Sequence, residues 1–432
     1  MNVLLVHPSA LRYAEPYLRL EPLGLECVAQ SLARDGHIVH ILDLQVGTHW
    51  ELRKELKGFR PEAIGLSLNH LASVPEVIEL AKLVKRRLPD AFVFIEGQAA
   101  SLIADDIQAH GDSAVDSVVI GEAEAAVPAL LASASNPCSV VRAAPIADIS
   151  RVRPARDLTR RRKRYFIGDL TPCASIEISR GRRLASAEVV ANELLDIQEP
   201  NVFIVDDVSF AFTDHVMAVA EEIELRRLRQ RYAIATRADI VLTNEEVFDR
   251  WVDIGLTSLF FRLASLDDEP RALTNRALEI AKRFGLSSTI DLAVDPSWDR
   301  ADFARARAWA STVPATVHLT VTTPVPGDPR ITATDYRLHD GRHAVMATRL
   351  SLADFYDELV NTQTIIRRQQ MGWRAVFASR SANSAPRRLA DHRRPVTYQL
   401  RRSSADHKRS ERRDISFERH QQAYQPGQRQ TV

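Results

Sequence analysis

Cysteine is nearly absent from this sequence. The three present in 432 residues, Cys27, Cys138 and Cys173, stand far apart, and none forms a C-x-x-C or similar spacing. A disulfide framework is therefore excluded, as is a metal knuckle built from neighbouring thiols. Thiols scattered in this way read as small buried apolar residues. Long hydrophobic runs are also missing: no stretch reaches the roughly 18 apolar residues that a membrane-crossing helix needs. The N-terminus, MNVLLVHPS, lacks the basic start and long apolar core of a signal peptide. A cytoplasmic protein is the expectation. An excess of one charge is lacking too, since 57 Lys and Arg against 56 Asp and Glu leave +1. The balance hides one local exception, the stretch from Arg374 onward, which is crowded with Arg, Lys and His.

What is present suits a soluble protein with a sizeable core, 45% hydrophobic and 26% charged. The length suggests two domains and a tail. Short β-branched or apolar runs at 2–7, 37–44, 63–68, 91–95 and 117–120 alternate with helical stretches such as 21–35, 74–88 and 101–110. This α/β pattern predicts a doubly wound, flavodoxin-like parallel sheet of five strands. Ligands of such sheets bind beyond the carboxyl ends of the strands. The loops at 7–13, 67–71, 96–101 and 121–124 then offer Pro8, Ser9, Ser67, Asn69, Gly97, Gln98, Ser101, Gly121 and Glu122 as candidate contacts.

The pattern weakens over 133–168, where Pro137, Pro145, Pro154 and the basic run 160–164 mark a connection between domains. No aromatic platform accompanies that run in the sequence, so it reads as a solvated face and not as a nucleic-acid contact. Six further strand patterns, at 174–178, 202–205, 232–236, 258–263, 288–294 and 316–322, alternate with helices. They predict a partial (β/α)6 TIM-type barrel, because eight repeats would need more chain. The helix at 186–198 is marked by Ser186 as its cap and Glu188 in its first turn. A last helical stretch covers 350–370. The expected domains are thus 1–135, a linker at 136–170, 171–372, and a basic tail at 373–432 without periodicity, expected to be disordered.

Several phrases occur in an order that resembles the cobalamin-binding radical S-adenosylmethionine family of the hopanoid C-3 methylase type. They include RLEPLGLECVAQSLARDGHIVHILDLQ, NHLASVPEVIELAK, RPARDLTRRRKRYFIG, PCASIEISRG, EPNVFIVDD, HLTVTTPVPG and DYRLHDGRHAVMATRLSLADFY. The resemblance implies a cobalamin domain followed by a radical S-adenosylmethionine barrel, with a methyl group carried from methylcobalamin to an unactivated carbon. It also implies a 4Fe–4S cluster on three thiolates, with one iron left free for S-adenosylmethionine. Among second-half residues it offers Asp206, Asp207, Thr236, Arg237, Pro324 and Gly327 as cofactor contacts. Read as bare chemistry, the two aspartates are a helix-capping pair and the 323–327 stretch is a stiff turn.

The sequence departs from that family at the cluster motif. Where C-x-x-x-C-x-x-C belongs, Arg180 and Gly181 are followed directly by RRLASAEVV. A cluster needs soft sulfur ligands, and Cys173 cannot stand in for three. The expectation is no cluster and no metal ligands. Glu96-Gly97-Gln98 replaces glycine-glycine-histidine, Ala123 replaces a glycine, and Ala235 and Ala264 stand where carboxylates are usual. The stretches after Glu269 and at 327–332 read as shortened. No D-x-H-x-x-G motif is present, so neither His7 nor His70 is expected to ligate cobalt. No catalytic residue is assigned. The predicted function is a degenerate member of this C-methyltransferase family that keeps weak cobalamin binding, with a hopanoid-like lipid as its possible substrate. The alternatives are a non-radical cobalamin-dependent methyltransferase and a non-catalytic scaffold. In the scaffold reading the tail, SSADHKRSERR, would make an electrostatic contact with nucleic acid or an anionic membrane.

Overall fold

The computed structural model describes residues 1–11, 17–111, 113–133 and 139–377. Cys138, the end of the first candidate loop at 12–13 and the tail beyond 377 lie outside the described residues. The chain is α/β throughout. Its first sheet contains β1 (Asn2–His7), β2 (Ile38–Asp43), β3 (Ala63–Ser67), β4 (Phe92–Glu96), β5 (Ser117–Ile120) and β6 (Ser139–Arg142). The order is β2-β1-β3-β4-β5-β6, with every pair parallel. The order reverses at β1, which is the switch point of a doubly wound sheet. Five of these strands follow from the alternation of the sequence. The sixth, Ser-Val-Val-Arg, lies in the stretch read as connection; four residues at a sheet edge carry too little period to announce a strand.

Buried runs explain the sheet. Val3, Leu4, Leu5 and Val6 are all fully buried, as expected for a strand covered on both faces. One face packs under α1 (Leu23–Arg34) and α6 (Ala123–Ala132), the other under α3 (Val74–Arg87) with Leu52 and Leu56 of α2 (His49–Gly58). A capping box starts α2: Thr48 Oγ1 accepts from Glu51 N at 3.2 Å, and Glu51 Oε2 accepts from Thr48 N at 2.8 Å. The helical pattern read at 101–110 resolves into α4 (Gln98–Leu102) and α5 (Ala104–His110), which break at Ile103.

The second sheet runs in chain order: β7 (Cys173–Ile176), β8 (Asn201–Ile204), β9 (Arg231–Thr236), β10 (Leu256–Leu263), β11 (Ser287–Val294) and β12 (Thr316–Val321). The pairs from β7 to β11 are parallel. Their crossovers carry α7 (Ala187–Asp196), α8 (Thr213–Leu225), α9 (Ala238–Thr243), α10 (Glu245–Asp253) and α11 (Asp268–Arg283). This is the partial barrel, and Ser186 caps α7 by accepting from Val189 N. The chain divides into two compact units. The first takes Met1–Ala293 with Val313–Met346, and so holds both sheets. The second takes Val294–Thr312 with the chain from Ala347 on. In it, α12 (Arg300–Ala310) and α13 (Leu352–Phe377) are joined by an Arg307–Glu358 ion pair at 3.0 Å and by Phe303 stacked edge-on against Phe355.

Within the first unit, β7 is an edge strand, and an unpaired edge is a liability. The interdomain connection covers it with buried charge. Glu21 Oε1 accepts from Ser175 N at 2.5 Å and from Arg156 Nη1 at 2.6 Å, while Arg156 Nη2 donates to Ser175 O at 2.7 Å. Arg156 also pairs with Glu193 of α7. Arg162 reaches the other Glu21 oxygen at 2.9 Å and holds Glu199 in a fork at 2.9 Å through both nitrogens. Glu21 and Glu26 are 5% and 0% exposed, so four carboxylates share two guanidinium groups away from water. Burial, and then the neighbouring Glu21, push the Glu26 carboxyl up to about 7.

Removing one member of such a cluster leaves charge buried without a partner. Arg156→Ala is expected to lower unfolding free energy by about 3–5 kcal/mol, read by urea titration. Glu26 gives a prediction of the opposite sign. The folded chain holds this proton above the carboxyl's ordinary value. The stabilisation is therefore complete below about pH 4.5 and is lost as pH rises through about 7. Glu26→Gln should reduce the loss of stability between pH 5 and pH 8 by on the order of 2 kcal/mol. An unchanged pH profile would contradict the assignment.

Candidate functional site

The carboxyl ends of β3, β4 and β5 are tied together by polar side chains from the candidate loops. Asn69 Nδ2 donates to Ser67 Oγ at 3.1 Å, and Gln98 N donates to Asn69 Oδ1 at 3.3 Å. Ser101 Oγ donates to Gly97 O at 3.1 Å and accepts from Gly121 N at 3.0 Å. Six predicted residues thus form one continuous edge. Gly97 is required there: its φ is 116° and ψ 175°, a region open only to glycine. A Cβ would lie 2.7 Å from both Leu68 O and Asn69 Oδ1. Pro8 and Ser9 sit on the loop after β1, where Ser9 is held to Glu76 of α3 by Oγ at 2.7 Å and N at 3.1 Å.

Glu96 closes β4 at this edge, and the sequence reading passed over it as a candidate. It is 6% exposed, and its Oε1 has no hydrogen-bond partner among the described residues. Burial pushes its carboxyl up to about 7 against a lowering hydrogen bond from Ser67. A buried acid with an orphan oxygen, beside a bare glycine, fits an edge built to meet a polar ligand.

Glu122 is at the same edge but already engaged. Its carboxylate accepts from Ile146 N at 2.7 Å and from Arg183 Nη1 at 3.0 Å, and these partners hold it below its ordinary value despite burial. Arg180 reaches Glu124 at 2.7 Å and Glu177 at 2.6 Å. Both arginines come from the hairpin that follows β7, where Ser179–Arg180 pairs antiparallel with Arg183–Leu184 across Gly181 and Arg182. The loop ends of the two sheets are therefore stitched together by ion pairs. The partners lie some sixty residues apart in sequence, a separation at which no pattern could announce them.

At the second sheet, Asp206 is fully occupied. Its carboxylate accepts from Ile178 N and Ser179 N at 3.3 Å, from Ser179 Oγ at 2.8 Å and from Ser209 N at 2.9 Å. That is the geometry of a capping and loop-fixing residue. Asp207 is exposed beside it. Thr236 is 3% exposed, its Oγ1 without a partner among the described residues, and Arg237 pairs with Asp239 at 2.7 Å. Pro324 and Gly327 begin the segment after β12, with Gly327 at φ 92°. Further along, the Tyr336 hydroxyl donates to Asp106 of α5, which brings this segment onto the first sheet's edge. Tyr336 was not visible as a site residue in the sequence.

The donor chemistry can be tested against the cofactors the resemblance implies. Cys173 is 1% exposed in an apolar cluster with Ile167, Leu170, Phe203 and Ala233, and burial pushes its thiol up to about 12. Cys27 is buried on α1 and likewise raised. A cysteine ligates iron in such a cluster as the thiolate. The hairpin after β7 offers guanidinium groups, which have no lone pair to give. Among the described residues, no group of three or more His, Cys, Asp or Glu is placed to hold a metal ion. The described residues do not fit a three-thiolate cluster, whereas the edge from Ser67 to Gly121 presents polar groups and a bare glycine at the carboxyl ends of the strands.

Comparison with known proteins agrees with this architecture. A family model described as the B12 binding domain matches residues 11–131, the span of the first sheet's candidate loops beyond β1. The structure of the cobalamin-dependent S-adenosylmethionine radical enzyme OxsB, with aqua-cobalamin and S-adenosylmethionine bound, aligns with a TM-score of 0.58 at 16% identity. It covers 85% of this chain, which spans 56% of that one, and the likeness is one of fold. The apo form of the same enzyme gives 0.56 at 15% identity. The hopanoid C-3 methylase of Methylococcus capsulatus is 37% identical over 468 aligned positions, covering 93% of this chain and 91% of the relative. Those 468 positions exceed the 432 residues of this chain, so the relative carries segments with no counterpart here. Identity above one third across nearly the whole length, with a B12-binding match over the first sheet, places this chain in the hopanoid C-3 methylase family of cobalamin-binding radical S-adenosylmethionine proteins.

Proposed function

We propose that this chain is a cobalamin-binding member of its family that has lost the 4Fe–4S cluster, and with it the radical half of the chemistry. One observation carries the reading: the loop between β7 and α7 is a hairpin with a two-residue turn and no thiol, and its arginines are spent on Glu122, Glu124 and Glu177. Without a cluster, bound S-adenosylmethionine has no electron source for its cleavage. Asp207, Thr236 and Arg237 then remain as polar strand ends with no reaction to serve, and Asp206 serves the loop.

On the first sheet, Ser67, Asn69, Gly97, Gln98, Ser101 and Gly121 would hold cobalamin, with Pro8 and Ser9 on the adjoining loop. When bound, the cofactor would supply a carrier for a methyl group. The chain's own part is to bind and orient it, and Glu96 keeps a proton at the edge near neutral pH. Binding is weak in this proposal, because Glu122 is diverted to Arg183. The likeness to a hopanoid C-3 methylase makes a hopanoid-like lipid the first substrate to try. No base placed to activate such a substrate is identified among the described residues.

The test is to titrate the anaerobic protein with aquacobalamin by visible absorbance, then add S-adenosylmethionine with a strong reductant. Saturable binding of one cobalamin per chain, with no 5′-deoxyadenosine above the protein-free control, is the expected result. Release of 5′-deoxyadenosine in proportion to protein would defeat the proposal.

A further inference from the structure

The basic run at 160–164 is followed in sequence by Tyr165, which is buried, and half-buried Phe166, but the fold brings it beside an exposed aromatic residue, Trp50, which lines one pocket with Arg160 and Arg161. The run lies along α2. Arg161 holds Glu51 at 2.5 Å and Val46 O at 2.6 Å, Arg164 reaches Val46 O at 3.3 Å, and Arg160 comes within 3.8 Å of Glu55. On α2, Leu52 and Leu56 face the core. The opposite stripe, at i, i+3, i+4 and i+7, is Trp50, Arg53, Lys54 and Lys57, all exposed. Trp50 is 66% exposed, with Lys54 Nζ 5.8 Å from its ring centroid.

The acidic residues of the helix are half-buried and engaged. Glu51 is shared by Arg161 and the Thr48 cap, and Glu55 accepts from His40 at 3.0 Å. At the helix start, His49 pairs with Glu76. The outward groups of α2 beyond that pair are therefore one indole and three cations, continued by exposed Arg160, Lys163 and Arg164. A large exposed tryptophan beside Arg53, Lys54 and Lys57, for which no ion pair is seen among the described residues, on a helix whose Leu52 and Leu56 are buried, has no role in the core or in the edge from Ser67 to Gly121.

We propose that this face, α2 with residues 160–164, docks the protein on an anionic bilayer surface. Tryptophan is the side chain that settles at the headgroup layer, with its ring in the boundary and its N–H in water. Lys and Arg beside it find the lipid phosphates, each adding roughly a fivefold gain in affinity near an anionic leaflet. A single-stranded nucleic acid would call for a groove with successive stacking rings. Here there is one ring on a convex helix. The proposal stands on this surface alone and does not depend on which cofactors the chain holds.

The experiment is co-sedimentation of the full chain with phosphatidylcholine vesicles, with and without phosphatidylglycerol, at low and high salt. Binding is expected only to the phosphatidylglycerol vesicles and should weaken with salt. The triple variant Arg53→Glu, Lys54→Glu, Lys57→Glu should lose at least about tenfold in affinity, and Trp50→Ala several-fold. All four side chains are exposed, so thermal unfolding should match the parent. Trp50→Phe keeps an aromatic ring and adds a second readout: the blue shift of tryptophan emission on adding vesicles should disappear with it. The proposal is overturned if the parent fails to bind at low salt or if the variants bind as tightly as the parent, which would leave the tail or another surface responsible. It is also overturned if a single-stranded RNA oligomer binds through these residues more tightly than the vesicles.

Discussion

A carboxylate and a guanidinium group on the free edge of the second sheet fix how the two sheets meet. Glu21 takes the N–H of Ser175 and Arg156 takes its C=O, so β7 ends its sheet without an open edge. Because Glu21 precedes α1 and Arg156 lies in the connection, this pairing holds the first sheet against the second. Burying charge is expensive and is tolerated only when each group is matched. Here the surplus of carboxylates is met by a proton held on Glu26. The arrangement offers orientation: with β7 anchored, the loops at the carboxyl ends of both sheets face one another closely enough for ion pairs to span them.

What spans them is the hairpin after β7. Its arginines reach Glu122 and Glu124 from the opposite sheet, so positions that could meet a ligand are neutralised from within the chain. A short hairpin also leaves no length for a thiol-bearing excursion. The first sheet's edge keeps the Gly97 cradle and a Glu96 oxygen without a partner among the described residues, while the hairpin is tied down by its ion pairs to Glu122 and Glu124. A fold can persist through such a change because its core lies elsewhere, in the Val- and Leu-rich layers around the first sheet and the Trp251 cluster of the second, where the indole N–H bonds Val216 O at 3.0 Å.

Much of this was legible in the sequence. Short β-branched or apolar runs alternating with helical stretches marked eleven of the twelve strands of the two sheets close to their observed bounds, and Ser186 marked its helix cap. The order of phrases gave the family. β6 was hidden by its brevity, and β2's companion helix α2 by its high charge, although Thr48 and Glu51 form a capping box that could have marked it. The candidate residues from Ser67 to Gly121 were chosen by position at strand ends, and hydrogen bonds join them. Asp206 was equally well placed by position, yet its partners are three backbone N–H groups and the Ser179 hydroxyl of the adjoining loops. Sequence position reports which edge a residue occupies; it does not report which partner claims its charge. Arg183 for Glu122, Tyr336 for Asp106 and Trp50 for the basic run are all meetings across long separations that only the fold sets.

The account turns on whether this chain can hold a cluster at all. The most direct measurement is the iron and labile sulfide content per chain after anaerobic reconstitution of the full protein with both. The account predicts that neither rises above the level of an unrelated protein carried through the same procedure. Four irons and four sulfides per chain, with the absorbance of a 4Fe–4S cluster, would contradict it.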